Sequence, residues 1–154
     1  MKNLIIFFLT IILTGCGFKI VDKSSLDTFS ISQVIAEGDN RINFSLKNKL
    51  SSASGENENR LIQVSLKTVK DKNIKERNIK NEITKYQVKI TVKVICKEIS
   101  SEEEFQFSKS GTGDYTVSNQ YSRTLRNEKK LIELLTNNIG DQILEELKIK
   151  LNDL

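Results

Sequence analysis

The chain has 154 residues, with 24 Lys and Arg against 20 Asp and Glu, no histidine and two cysteines, giving a formal charge of +4. Without histidine there is no Ser-His-Asp or Cys-His nucleophile system, and zinc coordination loses its commonest nitrogen ligand. The small positive excess does not indicate a nucleic-acid partner, and two cysteines cannot build a disulfide framework.

The first predicted element is an export signal over residues 1–15. Met1-Lys2-Asn3 is a short cationic start, and Leu4 to Leu13 is an apolar run. A membrane-spanning helix needs roughly 20 apolar residues, so this run is a signal core instead. Leu13-Thr14-Gly15-Cys16 resembles the lipobox of bacterial lipoproteins. That resemblance implies cleavage before Cys16, with acyl chains on its sulfur and its freed amine. Two or more chains anchor a protein stably where one holds it only marginally. Gly17 stands where inner-membrane lipoproteins commonly have aspartate, so the expected location is the outer membrane, on its periplasmic side. An ordinary signal peptide with an accidental Cys16 is the alternative. Residues 16–27 are polar and read as a lipidated tether, and secretion argues further against a nucleic-acid role.

Residues 28–154 read as one domain. Thr28 to Ala36 is rich in strand formers, with Phe29, Ile31 and Ile35 on one face. Gly38-Asp39-Asn40 breaks the strand and can cap a helix. Ile42, Leu46, Leu50 and Ala53 then fall at helical spacing. Ser51 to Arg60 reads as a loop. Leu61 to Val69 alternates, with Ile62, Val64 and Leu66 facing one way. Lys70 to Asn81 is strongly polar and reads as an exposed turn or strand end. From Thr84 to Glu98, six apolar positions (Tyr86, Val88, Ile90, Val92, Val94 and Cys96) recur at period two. Only a strand puts such residues on one face. Its opposite face is nearly a lysine ladder, suited to water or an anionic partner.

Glu98 to Glu104 reads as a turn, and Phe105 to Asn119 as one or two strands interrupted at Ser110-Gly111-Thr112-Gly113. From about Leu125 the period becomes helical. Leu131, Leu135, Ile139, Ile143, Leu147 and Leu151 form a stripe suited to covering a sheet. Gly140 interrupts this helix and suggests close helix–sheet packing. The order β-α-β-β-β-α predicts a two-layer α+β sandwich, with a sheet of about four strands and two helices on one face. Cys96 falls on the apolar face and reads as a buried, inert thiol. The carboxylates show no catalytic pairing, and Gly111-Thr112-Gly113 lacks the context of a phosphate loop. These features point to a protein that is not an enzyme and carries neither cofactor nor metal.

Five segments carry a resemblance. They are Leu13-Thr14-Gly15-Cys16-Gly17-Phe18, Phe44-Ser45-Leu46-Lys47-Asn48-Lys49-Leu50, Lys85-Tyr86-Gln87-Val88, Asp114-Tyr115-Thr116-Val117 with Tyr121, and Asn127-Glu128 ahead of Leu131-Ile132. In this order the chain resembles the LPS-assembly lipoprotein LptE family, from which it departs in lacking proline. The resemblance implies a non-enzymatic plug inside the outer-membrane β-barrel LptD, helping the barrel assemble and lipopolysaccharide enter the outer leaflet. It also implies basic contacts to lipopolysaccharide phosphates before the central strand and near the last helix. Lys72, Lys75 and Arg77 occupy the first place, and Arg123 and Arg126 the second. Lys and Arg bind phosphate by charge-assisted hydrogen bonds. A stand-alone periplasmic lipoprotein that binds an amphiphile or inhibits an enzyme is the alternative function.

Overall fold

The computed structural model describes residues 29–55 and 60–152. Cys16, the signal segment and the tether lie outside these. The elements are β1 (Ser30–Gly38), α1 (Asn40–Ala53), β2 (Leu61–Arg77), β3 (Ile83–Glu98), β4 (Glu104–Thr116) and α2 (Tyr121–Asn152). The four strands form one mixed sheet in the order β1-β2-β3-β4. β1 runs parallel to β2, and the other neighbours are antiparallel. Both helices cover one face, giving the expected α+β sandwich.

The β3 alternation sets this architecture. Val88, Ile90, Val92, Val94 and Cys96 are all buried, as are Ile62, Val64 and Leu66 of β2. From α1 they meet Ile42, Leu46 and Leu50, and from α2 Leu135, Ile139, Ile143, Leu147 and Leu151. Asp39 starts α1, its Oδ1 accepting from the backbone N–H of Arg41 at 3.1 Å and of Ile42 at 3.2 Å. Gly38 makes the entry to that helix possible. Its φ of +110° lies where side chains are strained, and a Cβ there would fall on the Thr68 carbonyl.

Three local expectations need correction, and one is narrowed. Of the two readings of the polar stretch after Val69, the turn is confined to the residues between Arg77 and Ile83, and the strand end holds: β2 runs as far as Arg77, paired with β3 up to Ile83. Its side chains hide the strand because charged partners, not apolar ones, receive Lys70 and Lys72. β4 is one unbroken strand, in which Gly111 and Gly113 pair with Ile90 and Val88. These glycines lie beneath α2. A Cβ on Gly113 would come within 2.6 Å of the Leu131 side chain, so the gap in side chains admits the helix. In β1, a register shift between Ile31 and Gln33 reverses the phase. Val34 and Ala36 therefore pack on the core, and Ile35 is exposed. Gly140 faces α1, not the sheet, with Lys49 and Leu46 over it.

Candidate functional site

β2 outruns β1. The parallel pairing ends at Gly38 and Thr68, while β2 and β3 continue as a hairpin to the turn between Arg77 and Ile83. β4 follows β3 to Lys85↔Thr116, and α2 begins five residues later, at Tyr121. The Val117 N–H donates to the Thr84 carbonyl at 2.9 Å, and Asn127 Nδ2 donates to the Thr116 carbonyl at 3.0 Å. The two basic places expected from sequence thus meet at one end of the molecule.

The five basic residues divide by partner. Lys72 projects from the helix-covered face of β2. Its Nζ lies 2.8 Å from Glu128 Oε2 and 4.5 Å from the Tyr86 ring centroid. Tyr86 and Tyr115 stack at 5.6 Å, and the Tyr115 hydroxyl donates to Glu128 Oε2 at 2.9 Å. Burial opposes the Lys72 ammonium, but hydrogen bonds to Glu128 and Tyr115 outweigh it and hold its pKa above the usual value. Burial would raise the Glu128 pKa, yet Lys72 and Tyr115 hold the carboxyl below its ordinary range. Lys75 pairs with Asp114. Asp114 is held below the carboxylate range chiefly by Lys75 and also accepts from Gln87.

Arg77, Arg123 and Arg126 stand in a different state. All three are exposed. Arg77 Nη1 donates to the Asn81 carbonyl at 2.8 Å, and none of the three joins an ion pair among the described residues. Lys80, in the hairpin turn, likewise has no ion pair. Sequence reading did not single it out, because a lysine in a polar run gives no sign of whether an acid will reach it. Nearby acids are committed: Glu76 to Lys85 at 2.6 Å, Glu128 to Lys72, and Asp114 to Lys75. Glu82 Oε2 accepts from Asn78 Nδ2 at 2.7 Å.

The uncovered sheet face bears Lys89, Lys93 and Lys97 of β3, exposed and without ion pairs among the described residues. Beside them stand Gln106, Ser108, Ser110 and Thr112 of β4. Cys96 lies on the covered face and is fully buried. Burial, helped by the Glu98 charge, pushes its thiol up to about 12, so it is a poor nucleophile. Among the described residues no helix is long and apolar enough to cross a membrane.

No protein-family model matches the chain, and no curated protein matches it by sequence. Solved structures do match. Rare lipoprotein B from Shewanella oneidensis superposes with a TM-score of 0.58 at 12% identity, covering 77% of this chain and 95% of that one. A minor lipoprotein from Acinetobacter baumannii gives 0.55 at 11% identity, covering 80% and 94%. Lipoprotein B from Nitrosomonas europaea gives 0.52 at 15% identity, covering 86% and 90%. The shared property is the fold. It is a fold of bacterial lipoproteins, reproduced over nearly their whole length.

Proposed function

We propose that this protein is a non-enzymatic lipoprotein of the outer membrane, tethered through Cys16 on the periplasmic side. In this reading it plugs and helps assemble an LptD-like β-barrel and assists lipopolysaccharide insertion into the outer leaflet. The observation that supports the reading is that Arg77, Arg123 and Arg126 lie toward one end of a lipoprotein-type fold, with the neighbouring acids committed elsewhere. Unpaired guanidinium groups are suited to phosphate, which they can grip in a bidentate manner. Lys72 and Lys75, each paired with a carboxylate, would support that surface more than supply it.

The test is purification of the full chain from detergent-extracted native outer membranes, with bound species identified. A large β-barrel is expected to co-purify, and Arg77→Ala with Arg123→Ala and Arg126→Ala is expected to lower bound lipopolysaccharide. Recovery of a solitary lipoprotein overturns the reading.

One observation favours the second reading. A groove of about 480 Å³ lies between α1 and α2, lined by Ile42, Phe44 and Ile132 together with Arg41, Lys129 and Glu133. That volume is within the range of small-ligand sites, which suits a stand-alone amphiphile binder. Charge reversal of Lys89, Lys93 and Lys97 separates the two. It reduces barrel assembly if the sheet face seats in a barrel, and leaves barrel levels unchanged if the protein works alone.

A further inference from the structure

The two edges of the sheet are finished differently. β1 is 9 residues long and carries the register shift between Ile31 and Gln33. The chain after α1 partly closes it, with the Ile31 N–H donating to Ser54 Oγ at 2.8 Å and the Gly55 N–H to the Phe29 carbonyl at 3.2 Å. β4 is 13 residues long and pairs with β3 without a bulge. On its other side it has no neighbouring strand among the described residues. A long, regular edge of this kind is a template for another strand.

The register fixes which groups that edge offers. The Glu98 N–H donates to the Glu103 carbonyl and the Val117 N–H to the Thr84 carbonyl, both at 2.9 Å, so the odd-numbered residues of β4 bond to β3. The even-numbered residues Gln106, Ser108, Ser110, Thr112 and Asp114 therefore turn their N–H and C=O groups outward. All five are exposed, and their side chains lie on the uncovered face. Thr116 ends the open run, its carbonyl taken by Asn127.

Both sides of the edge suit the side chains of an added strand. On the covered side a shallow groove of about 410 Å³ lies between β4 and α2. No β3 residue lines it, so it opens at the free edge. Tyr115, Leu131 and Leu134 form its apolar wall, with Asp114 and Lys130 as charged lining, and Leu134 is exposed. Lys109, an inward-pointing charge of the kind that guards an edge, is held by Glu146 at 2.8 Å. On the uncovered side Lys89 and Lys93 of β3 stand behind Thr112 and Ser108, whose short side chains leave them open to the edge. A carboxylate on an added strand would lie two strands away from these lysines. Asp114 bridges that same separation, pairing with Lys75 of β2 across β3.

We propose that the β4 edge takes an extended segment of a partner protein as an additional, antiparallel strand. The side chains of that segment alternate, apolar ones toward α2 and acidic ones over the lysines of β3. Main-chain bonds give such a complex its affinity, and the alternating side chains its selectivity. The inference goes beyond the proposed function and does not rest on it.

The probe is a synthetic peptide alternating valine and glutamate over the length of the open edge, added to the full chain in detergent micelles. Hydrogen exchange followed by NMR reads each β4 amide. The expected result is slowed exchange at Gln106, Ser108, Ser110, Thr112 and Asp114, the odd-numbered amides being slow already. In an antiparallel pair the bonded residues of both strands share a face, so the glutamate N–H groups are those aimed at β4. N-methylation of the glutamate amides is expected to abolish binding, and of the valine amides to preserve it. Lysine in place of glutamate is expected to weaken binding roughly tenfold, and Lys89→Glu with Lys93→Glu to reverse that preference. Ser110→Pro removes an outward donor and no bond to β3. It is expected to lower affinity while the odd-numbered amides stay protected. Unchanged exchange at the outward amides overturns the inference, as does equal sensitivity to the two methylation patterns. A dimer of the chain that the peptide does not dissociate also overturns it, because a second copy then holds the edge.

Discussion

α2 is one continuous helix that serves two different purposes along its length. Its C-terminal half presents Leu135, Ile139, Ile143, Leu147 and Leu151 to the core, all buried. Beyond it the body is sealed by Arg60, whose Nε lies 3.1 Å from Glu98 Oε1 and whose Nη1 donates to the Leu151 carbonyl. The N-terminal half presents exposed Tyr121 and Leu125, with Arg123 and Arg126 unpaired among the described residues. The same residue types thus stabilise one end and stay free at the other. Arginine held by a buried acid belongs to the fold, whereas arginine left without one is available to a partner.

Large-to-small substitution along the helix should show the contrast most strongly. Ile143→Ala removes a fully buried side chain and is expected to cost about 3–4 kcal/mol. Leu125→Ala, in the open half, is expected to cost less than about 0.5 kcal/mol. Urea denaturation of both variants checks this, and similar losses would erase the distinction between the halves.

The arginines sharpen the comparison at smaller magnitude. Glu98 is only 8% exposed, and its removal leaves Arg60 half-buried without its acid. Glu98→Ala is expected to cost about 2–3 kcal/mol. Arg123→Ala with Arg126→Ala is expected to leave stability within about 0.5 kcal/mol while reducing anionic-ligand binding. Melting temperatures together with a binding assay distinguish the two effects.

Much of the closed half was readable because its signals are apolar and periodic. The β3 alternation, the α2 stripe and the Asp39 cap each specify local structure without reference to a distant neighbour. The open end depends on distant neighbours. Lys70 and Lys72 look like loop residues until Asp39 and Glu128 are brought beside them. Gly111 and Gly113 look like a turn until α2 is laid across them. Ile35 changes face because of a bulge that no residue type announces. The candidate site was legible as a set of basic residues. Which of them remain unpaired was not, because that depends on where acids lie after folding.

Acid tests the ion pairs themselves. Asp39, Asp114 and Glu128 all have folded pKa values below the ordinary 3.8 or 4.5. For Asp39 burial would raise the value, but Lys70 and the backbone N–H groups of Ile42 and Arg41 more than reverse it. Between the folded and unfolded pKa values the unfolded chain binds more protons, so stability rises with pH there and is lost as pH is lowered. The contribution is complete above about pH 4.5 and is lost as pH drops through the lowered values. With no histidine, the melting temperature should be nearly flat from pH 8 down to pH 5 and should fall only at lower pH. Glu128→Gln should shrink that acid step, because Glu128 is the acid that ties Lys72 and Tyr115 to α2.

The smallest expected effect tests how tightly the closed half is packed. Gly140 sits where α2 crosses α1, and glycine inside a helix costs about 1 kcal/mol relative to alanine. A Cβ there would come within 2.7 Å of Lys49 Cδ, 3.3 Å of Lys49 Cε and 3.4 Å of Leu46 Cδ2. The nearest obstacle is a flexible lysine stem, so it can move. Moving it disturbs Lys49 Nζ, which lies 2.7 Å from Asp141 Oδ1 and donates to the Asn137 carbonyl at 2.7 Å. Asp141 is largely exposed, so that ion pair contributes only a few tenths of a kcal/mol. The helix gain outweighs this loss, and Gly140→Ala is expected to stabilise by about 0.5 kcal/mol. A loss above about 1 kcal/mol in urea denaturation would mean that Leu46, not Lys49, sets the helix separation.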